Sequence, residues 1–161
     1  NLAAWLLRDR HAAEDVVQEA MLRALTYFRT YKGGNARAWV LQIVRNAAFE
    51  HIRRNKGADM VSIDNFAALE NGGVPAPATE LFIDQSDGPE AVFIKERTRE
   101  EIAGALDKLP LELRECIVLR EFEELSYKEI AQVTATPIGT IMSRLWRARQ
   151  LLLQTLLAEG Y

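Results

Sequence analysis

Apolar residues recur in two blocks of this chain at three- and four-residue intervals, the period of helices laid on a core, without the alternation of half-buried strands. Val16, Val17, Ala20, Leu25 and Phe28 fall towards one side, predicting a helix over residues 14–28 that Lys32, Gly33, Gly34 and Asn35 interrupt. A second helix is expected from Asn35, as N-cap, to about Arg54. The later block predicts a helix from near Ala91 to Leu109, a break at Pro110, and helices over 111–122, 127–133 and 137 to about 157. The fold class is therefore all-α. Leu2, Ala3, Trp5, Leu6 and Leu7 resemble the interior of a buried helix, and because residue 1 is Asn, a missing N-terminal extension is expected.

Between the blocks the pattern lapses. Gly72, Gly73, Pro75, Pro77, Gly88 and Pro89 mark a linker, giving two small helical domains, 1–56 and 94–161, joined by an irregular segment, 57–93. Its Ile63, Phe66, Leu69, Leu81, Phe82 and Ile83 are more apolar than a bare tether requires, so parts of it are candidates for docking. With 161 residues and 48% apolar content, each block has material for a modest core, which excludes disorder throughout.

Charge changes the picture more than length does. The net charge of −3 argues weakly against a nucleic-acid coat protein, but it conceals polarity along the chain. Residues 1–57 carry ten Lys/Arg against five acids, residues 58–93 seven acids and no base, and residues 94–161 ten bases and eleven acids. Such a chain can grip a polyanion locally while remaining acidic overall. No apolar run is long enough to span a bilayer and no basic-then-apolar leader opens the chain, so neither membrane insertion nor secretion is expected. The single cysteine, Cys116, excludes an internal disulfide and a Cys-rich zinc site and points to a reducing, cytoplasmic setting.

The strongest local signal lies near the end. Ser126 is placed as an N-cap with Glu129 as its capping-box partner. After Thr134 and Ala135 a longer helix opens, with Thr136 as a candidate cap and Pro137 in its first turn. This is the layout of a helix-turn-helix. On the second helix Ile141, Leu145, Ala148 and Leu152 form a core stripe, leaving Thr140, Ser143, Arg144, Trp146 and Arg147 on the outer side. Hydroxyls and guanidinium groups near a helix start suit base edges and phosphates.

A second basic face lies on the helix after Asn35, where Arg45, Asn46, Phe49, Glu50, Arg53 and Arg54 occupy about half the circumference and Val40, Val44, Ala47 and Ala48 the other. Arginines interleaved with an aromatic and an amide suit unstacked bases, though a solvated basic helix end reads the same way. Lys32, Asn35 and Arg37 on the preceding loop would rim such a site. Glu14, Asp15 and Glu19 read either as favourable charge at a helix start or as an acidic docking face. His11 and His51 are isolated, Cys116 sits in an apolar run, and there is no Gly-rich phosphate loop and no nucleophile with a base. No catalytic residues, metal site, cofactor or small-molecule substrate are expected, and the protein is not read as an enzyme.

The residues Ala13 to Ala24, Ala38 to Ala47, Leu109-Pro110, Ser126 to Ala131 and Pro137 to Arg149 together resemble the extracytoplasmic-function sigma factors, specificity subunits of bacterial RNA polymerase. The resemblance implies that residues 1–56 are sigma region 2, with Asp15, Gln18, Glu19 and Arg23 meeting core RNA polymerase. It implies minus-10 reading and strand melting by Lys32, Asn35, Arg37, Arg45, Asn46, Phe49, Arg53 and Arg54. Residues 94–161 become sigma region 4, with Thr140, Ser143, Arg144, Trp146 and Arg147 reading the minus-35 element, and the acidic linker would run through polymerase. The resemblance also implies an anti-sigma partner, for which the surface around Trp5, Leu6 and Leu7 is a candidate. Met142, Ala36 and the turn Thr134-Ala135-Thr136 depart from the usual family pattern and bear on promoter sequence rather than on class. The competing expectations are a dimeric helix-turn-helix regulator that binds duplex DNA without polymerase, and a helical scaffold protein.

Overall fold

A computed structural model describes residues 2–56, 89 and 98–160. The expected linker, and the helix start near Ala91, lie outside the described residues apart from Pro89. The first lobe comprises α1 (Leu2–Leu7), α2 (Arg10–Thr26), a 3-10 turn (Phe28–Thr30) and α3 (Ala36–Lys56). The second comprises α4 (Arg99–Asp107), α5 (Leu111–Ile117) running into a π turn (Val118–Phe122), α6 (Tyr127–Thr134) and α7 (Ile138–Ala158). Among the described residues there is no strand, as the all-α expectation requires.

Helix α2 starts earlier than its apolar pattern suggests because Asp9 caps it, accepting hydrogen bonds from the amides of His11 (2.9 Å) and Ala12 (3.3 Å). Its buried stripe is Ala13, Val16, Ala20 and Ala24, whereas Val17, Leu25 and Phe28, expected on the core side, are exposed. Small side chains on the inner stripe let α2 lie close against α3, and the larger apolar residues are left outside. Before α3, Gly33 (φ 90°) and Gly34 (φ 89°) take backbone conformations that side chains disfavour, and Asn35 Oδ1 then accepts from the Ala38 amide at 3.2 Å.

In the second lobe, Thr98 with Glu101 and Ser126 with Glu129 form complete capping boxes. The turn between α6 and α7 is made by Ala135 in the left-handed region (φ 51°). Thr136 does not cap α7. Its hydroxyl donates back to the Thr134 carbonyl at 3.1 Å, and Pro137 itself takes the cap position rather than the first turn. The stripe Ile141, Leu145, Ala148 and Leu152 is buried as its spacing predicts.

The two lobes share one apolar cluster, to which Leu2 and Leu6 of α1, Val44 of α3, Leu113 of α5, Ile130 of α6 and Leu152 of α7 all belong. Each large aliphatic side chain buried there contributes about 1.5–3 kcal/mol relative to exposure. Helix α1 lies between the lobes: Trp5 packs against Phe122 with ring centroids 5.1 Å apart. The buried Arg114 of α5 donates to the Trp5 carbonyl near the end of α1 (3.3 Å) and to the Leu109 carbonyl (3.0 Å). Arg8, in a left-handed conformation just after α1, pairs with Asp107 at 2.9 Å.

Candidate functional site

Part of the basic face of α3 meets the second lobe, through Arg37 and Arg45. Arg45 Nε donates to Glu115 Oε1 at 2.6 Å while its guanidinium lies 3.9 Å from the Phe49 ring centroid. Phe49 is buried, 7% exposed, so it is a core residue and not part of an open base-stacking surface. Its neighbours explain this: with Val44, Ala48 and Ile52 it widens the buried stripe of α3 beyond the half-circumference that the sequence suggests. Asn46, Arg53 and Arg54 are exposed, Arg54 reaching Glu50 at 3.4 Å. On the loop Lys32 is exposed and the Asn35 amide donates to Glu129, and in the first turn of α3 Arg37 Nη2 donates to Glu123 Oε2 at 2.6 Å. Tyr31 orders this loop by stacking on Trp39 (5.2 Å) and donating to the Gly34 carbonyl at 2.8 Å. Three expected DNA contacts, Asn35, Arg37 and Arg45, are thus held by acidic side chains of the other lobe.

Of those acids, the sequence marks Glu129 only as a capping-box residue and does not single out Glu115 or Glu123. Glu115 is fully buried and Glu123 nearly so. Burial pushes the Glu115 carboxyl up, against the opposing pull of Arg45 and Arg144. The available signal was a charged pair, Arg114-Glu115, set into the apolar run from Leu113 to Leu119, where unpaired charge is costly.

On α7, Thr140, Ser143, Trp146 and Arg147 are partly exposed. Ser143 Oγ donates to the Gly139 carbonyl at 3.1 Å and keeps its acceptor capacity. Arg144 differs from the outward placement expected of it. Its Nε is buried, and its charge lies close enough to Glu115 and the Cys116 thiol to favour their ionised forms. Burial nonetheless drives that thiol up to about 12, so Cys116 is a core residue and not a reactive one. The middle of α7 is pinned by Arg149 Nη2 donating to Glu121 Oε1 at 2.9 Å, both side chains being largely buried. Burial disfavours the Arg149 charge, but the hydrogen bonds and attraction of Glu121 and Tyr127 together more than offset it.

The outer face of α2 combines charge and apolar surface. Asp15 and Gln18 are exposed beside Met21, Leu22, Leu25 and Phe28. With Asp9 as cap, α2 has no acid in its first turn, so Glu14 and Asp15 are not explained by the helix dipole. Glu19 and Arg23 belong to a network: Arg23 donates to Glu19 at 2.5 Å and to Glu50 at 2.7 and 3.2 Å, tying α2 to α3. The Glu50 hydrogen bond raises Arg23 above its ordinary value, and the Arg23 guanidinium in turn lowers Glu50. The Trp5 to Leu7 segment, expected as a free partner surface, is instead occupied: Leu6 is buried and Trp5 lies against Phe122. Among the described residues no helix is long and apolar enough to cross a membrane, and no three His, Cys, Asp or Glu side chains cluster as a metal site.

Comparison with known proteins matches both parts of the chain to one family. Residues 1–58 match the family described as Sigma-70 region 2, and residues 99–152 match Sigma-70, region 4. The chain is 32% identical to the RNA polymerase sigma-H factor of Pseudomonas aeruginosa, the alignment covering 99% of this chain and 82% of that protein. It is 34% identical to the ECF RNA polymerase sigma-E factor of Escherichia coli, covering 84% and 69% respectively. It is 29% identical to the ECF RNA polymerase sigma factor SigM of Bacillus subtilis, covering 90% and 80%. Its structure is similar to that of the sigma factor RpoE in complex with the anti-sigma factor NepR from Bartonella quintana, with a TM-score of 0.67, 25% identity, and coverage of 96% of this chain and 87% of that one. Matches to both sigma regions within one chain do not favour a dimeric regulator that works without polymerase. A region 2 lobe, a region 4 helix-turn-helix lobe and relatives aligned along most of their length place the chain among the extracytoplasmic-function sigma factors, which bind RNA polymerase and give it promoter specificity.

Proposed function

We propose that the two functions of the factor, docking and promoter reading, are divided among three surfaces of the chain. The acidic and apolar outer face of α2, with Asp15 and Gln18 at its exposed edge, meets core polymerase, while Glu19 and Arg23 hold α2 on α3 behind that face. Lys32, Asn35, Arg37, Arg45, Asn46, Arg53 and Arg54 read the minus-10 element and accompany strand opening. Thr140, Ser143, Trp146 and Arg147 on α7 read the minus-35 element, with Arg144 set behind them towards Glu115. Residues 1–56 and 94–161 act as the two recognition units, and the acidic segment 57–93 connects them. The factor works by binding, without bond chemistry, in the cytoplasm where core polymerase resides. An anti-sigma protein is a natural inhibitor, given the complex known for the RpoE relative.

The observation that carries this reading is the separation of charge. Acids stand beside exposed apolar residues on the outer face of α2, while guanidinium groups gather on α3 and α7. Run-off transcription with purified core polymerase on a promoter library tests it. Asp15→Lys with Gln18→Lys should abolish polymerase binding while promoter DNA affinity persists; undiminished binding to core would overturn the docking assignment. Arg147→Ala should weaken use of matched minus-35 elements by about 1–3 kcal/mol, and equal transcription from matched and scrambled elements would reject base reading.

A further inference from the structure

Of the three arginines on α7, the last has a different setting from the rest. Arg149 follows Arg147 by two positions, and an α-helix turns about 200° over that step, so Arg149 points away from the face of Thr140, Ser143 and Arg147. Its side chain is 13% exposed, and that of Glu121 in the π turn, which accepts from Arg149 Nη2 at 2.9 Å, is 7% exposed. Tyr127, the first residue of α6, adds to the attraction on Arg149. The Tyr127 ring is itself buried, with the Arg120 guanidinium 5.0 Å from its centroid and donating to the Leu125 carbonyl at 2.9 Å. The π turn, α6 and α7 thus meet in one buried charged cluster behind the helix-turn-helix. On the other flank of the α7 core stripe, the Arg144 charge lies close to the buried Glu115 of α5.

Helix geometry makes rotation about the α7 axis the sensitive variable for reading bases. The stripe Ile141, Leu145, Ala148 and Leu152 sets how deeply α7 sits, but aliphatic burial is non-directional and tolerates a small roll. A roll of about 10° carries a side-chain tip roughly 6 Å from the axis through about 1 Å. That is enough to turn a good hydrogen bond into a lost one. Charged contacts on both flanks of the stripe oppose roll in either sense, and the Arg149–Glu121 hydrogen bond adds a fixed direction.

We infer that Arg149 and Glu121 are positioning residues for promoter reading: through their buried hydrogen bond they set the rotation of α7, and so its choice of minus-35 bases, without touching DNA. The inference rests on the assignment of α7 as the minus-35 reader. It separates the arginines of α7 by task, Arg147 facing DNA and Arg149 holding the helix that presents it.

The test uses holoenzyme assembled from core polymerase and the full chain, on labelled duplex promoters with matched or scrambled minus-35 elements, with affinity read by fluorescence anisotropy over a salt series. Arg149→Gln and Glu121→Gln should each lower the matched-to-scrambled affinity ratio about tenfold, the worth of one good bidentate base contact, and leave the salt dependence as in the parent. Because Arg149→Gln leaves Glu121 buried without its arginine, Arg149→Lys, which keeps the charge but not the planar fork, is measured beside it and should move the ratio in the same direction. A direct phosphate contact by Arg149 would instead weaken both promoters alike, with a salt slope shallower by about one in Arg149→Gln alone, and would overturn the inference. An unchanged ratio in the Arg149 and Glu121 variants, with Arg147→Ala still lowering it, would overturn positioning and leave the minus-35 assignment standing. A role in lobe stability alone gives that same result, since loss of folded protein scales both promoters together. If Arg147→Ala also left the ratio unchanged, the minus-35 assignment itself would fall, and the positioning role with it.

Discussion

Phe49 and Glu50 are adjacent on α3 and have opposite surroundings. The ring is buried under the Arg45 guanidinium, and the carboxylate is held at the surface by Arg23 and Arg54. Phe49→Ala should therefore cost about 3–5 kcal/mol in chemical denaturation, the range for deleting a core aromatic, rather than acting on DNA alone. The sequence showed that position 49 is aromatic and near arginines; it did not show which edge of the helix the core would claim, because a 100° projection leaves boundary positions undecided. For Glu50, Arg23 lowers the folded-state value, so the folded chain binds fewer protons there than the unfolded chain does. Its contribution is then present above the ordinary carboxylate value of about 4.3 and is lost as pH falls through the lowered folded value. Denaturation across acid pH should show Glu50→Gln less stable than the parent near neutrality, with the gap closing at lower pH.

At the scale of elements, helix identity followed from apolar period and capping chemistry. The Ser126–Glu129 box and the α7 core stripe stand where spacing put them. Ser126→Ala should cost about 1 kcal/mol, seen as a lower denaturation midpoint with an unchanged slope. The turn that follows was less legible, since Thr136 and Pro137 both look like helix starters and only the left-handed Ala135 decides how the chain enters α7. Ala135→Gly should relieve that conformation and raise stability by up to about 1 kcal/mol, measured the same way. The π turn after α5 has no sequence signature. It carries the bond from the Glu123 amide to the Val118 carbonyl (3.1 Å) and brings Phe122 to Trp5 and Glu123 to Arg37, so a local irregularity aims two interlobe contacts.

At the scale of the molecule, two helical units and their order were legible, while their docking was not. A guanidinium that suits a phosphate suits a carboxylate equally, so a basic stripe does not state which partner it meets. The residues that decide it, Glu115 and Glu123, lie about seventy and more positions away along the chain. The apolar cluster running from α1 through α5 to α7 has a consequence for a nicked chain. If a protease severs the backbone once between Lys56 and Thr98, the fragments should stay together as a noncovalent pair. They would elute as a single particle from a native sizing column and resolve into two bands only in detergent, because each half alone would present a greasy surface to water.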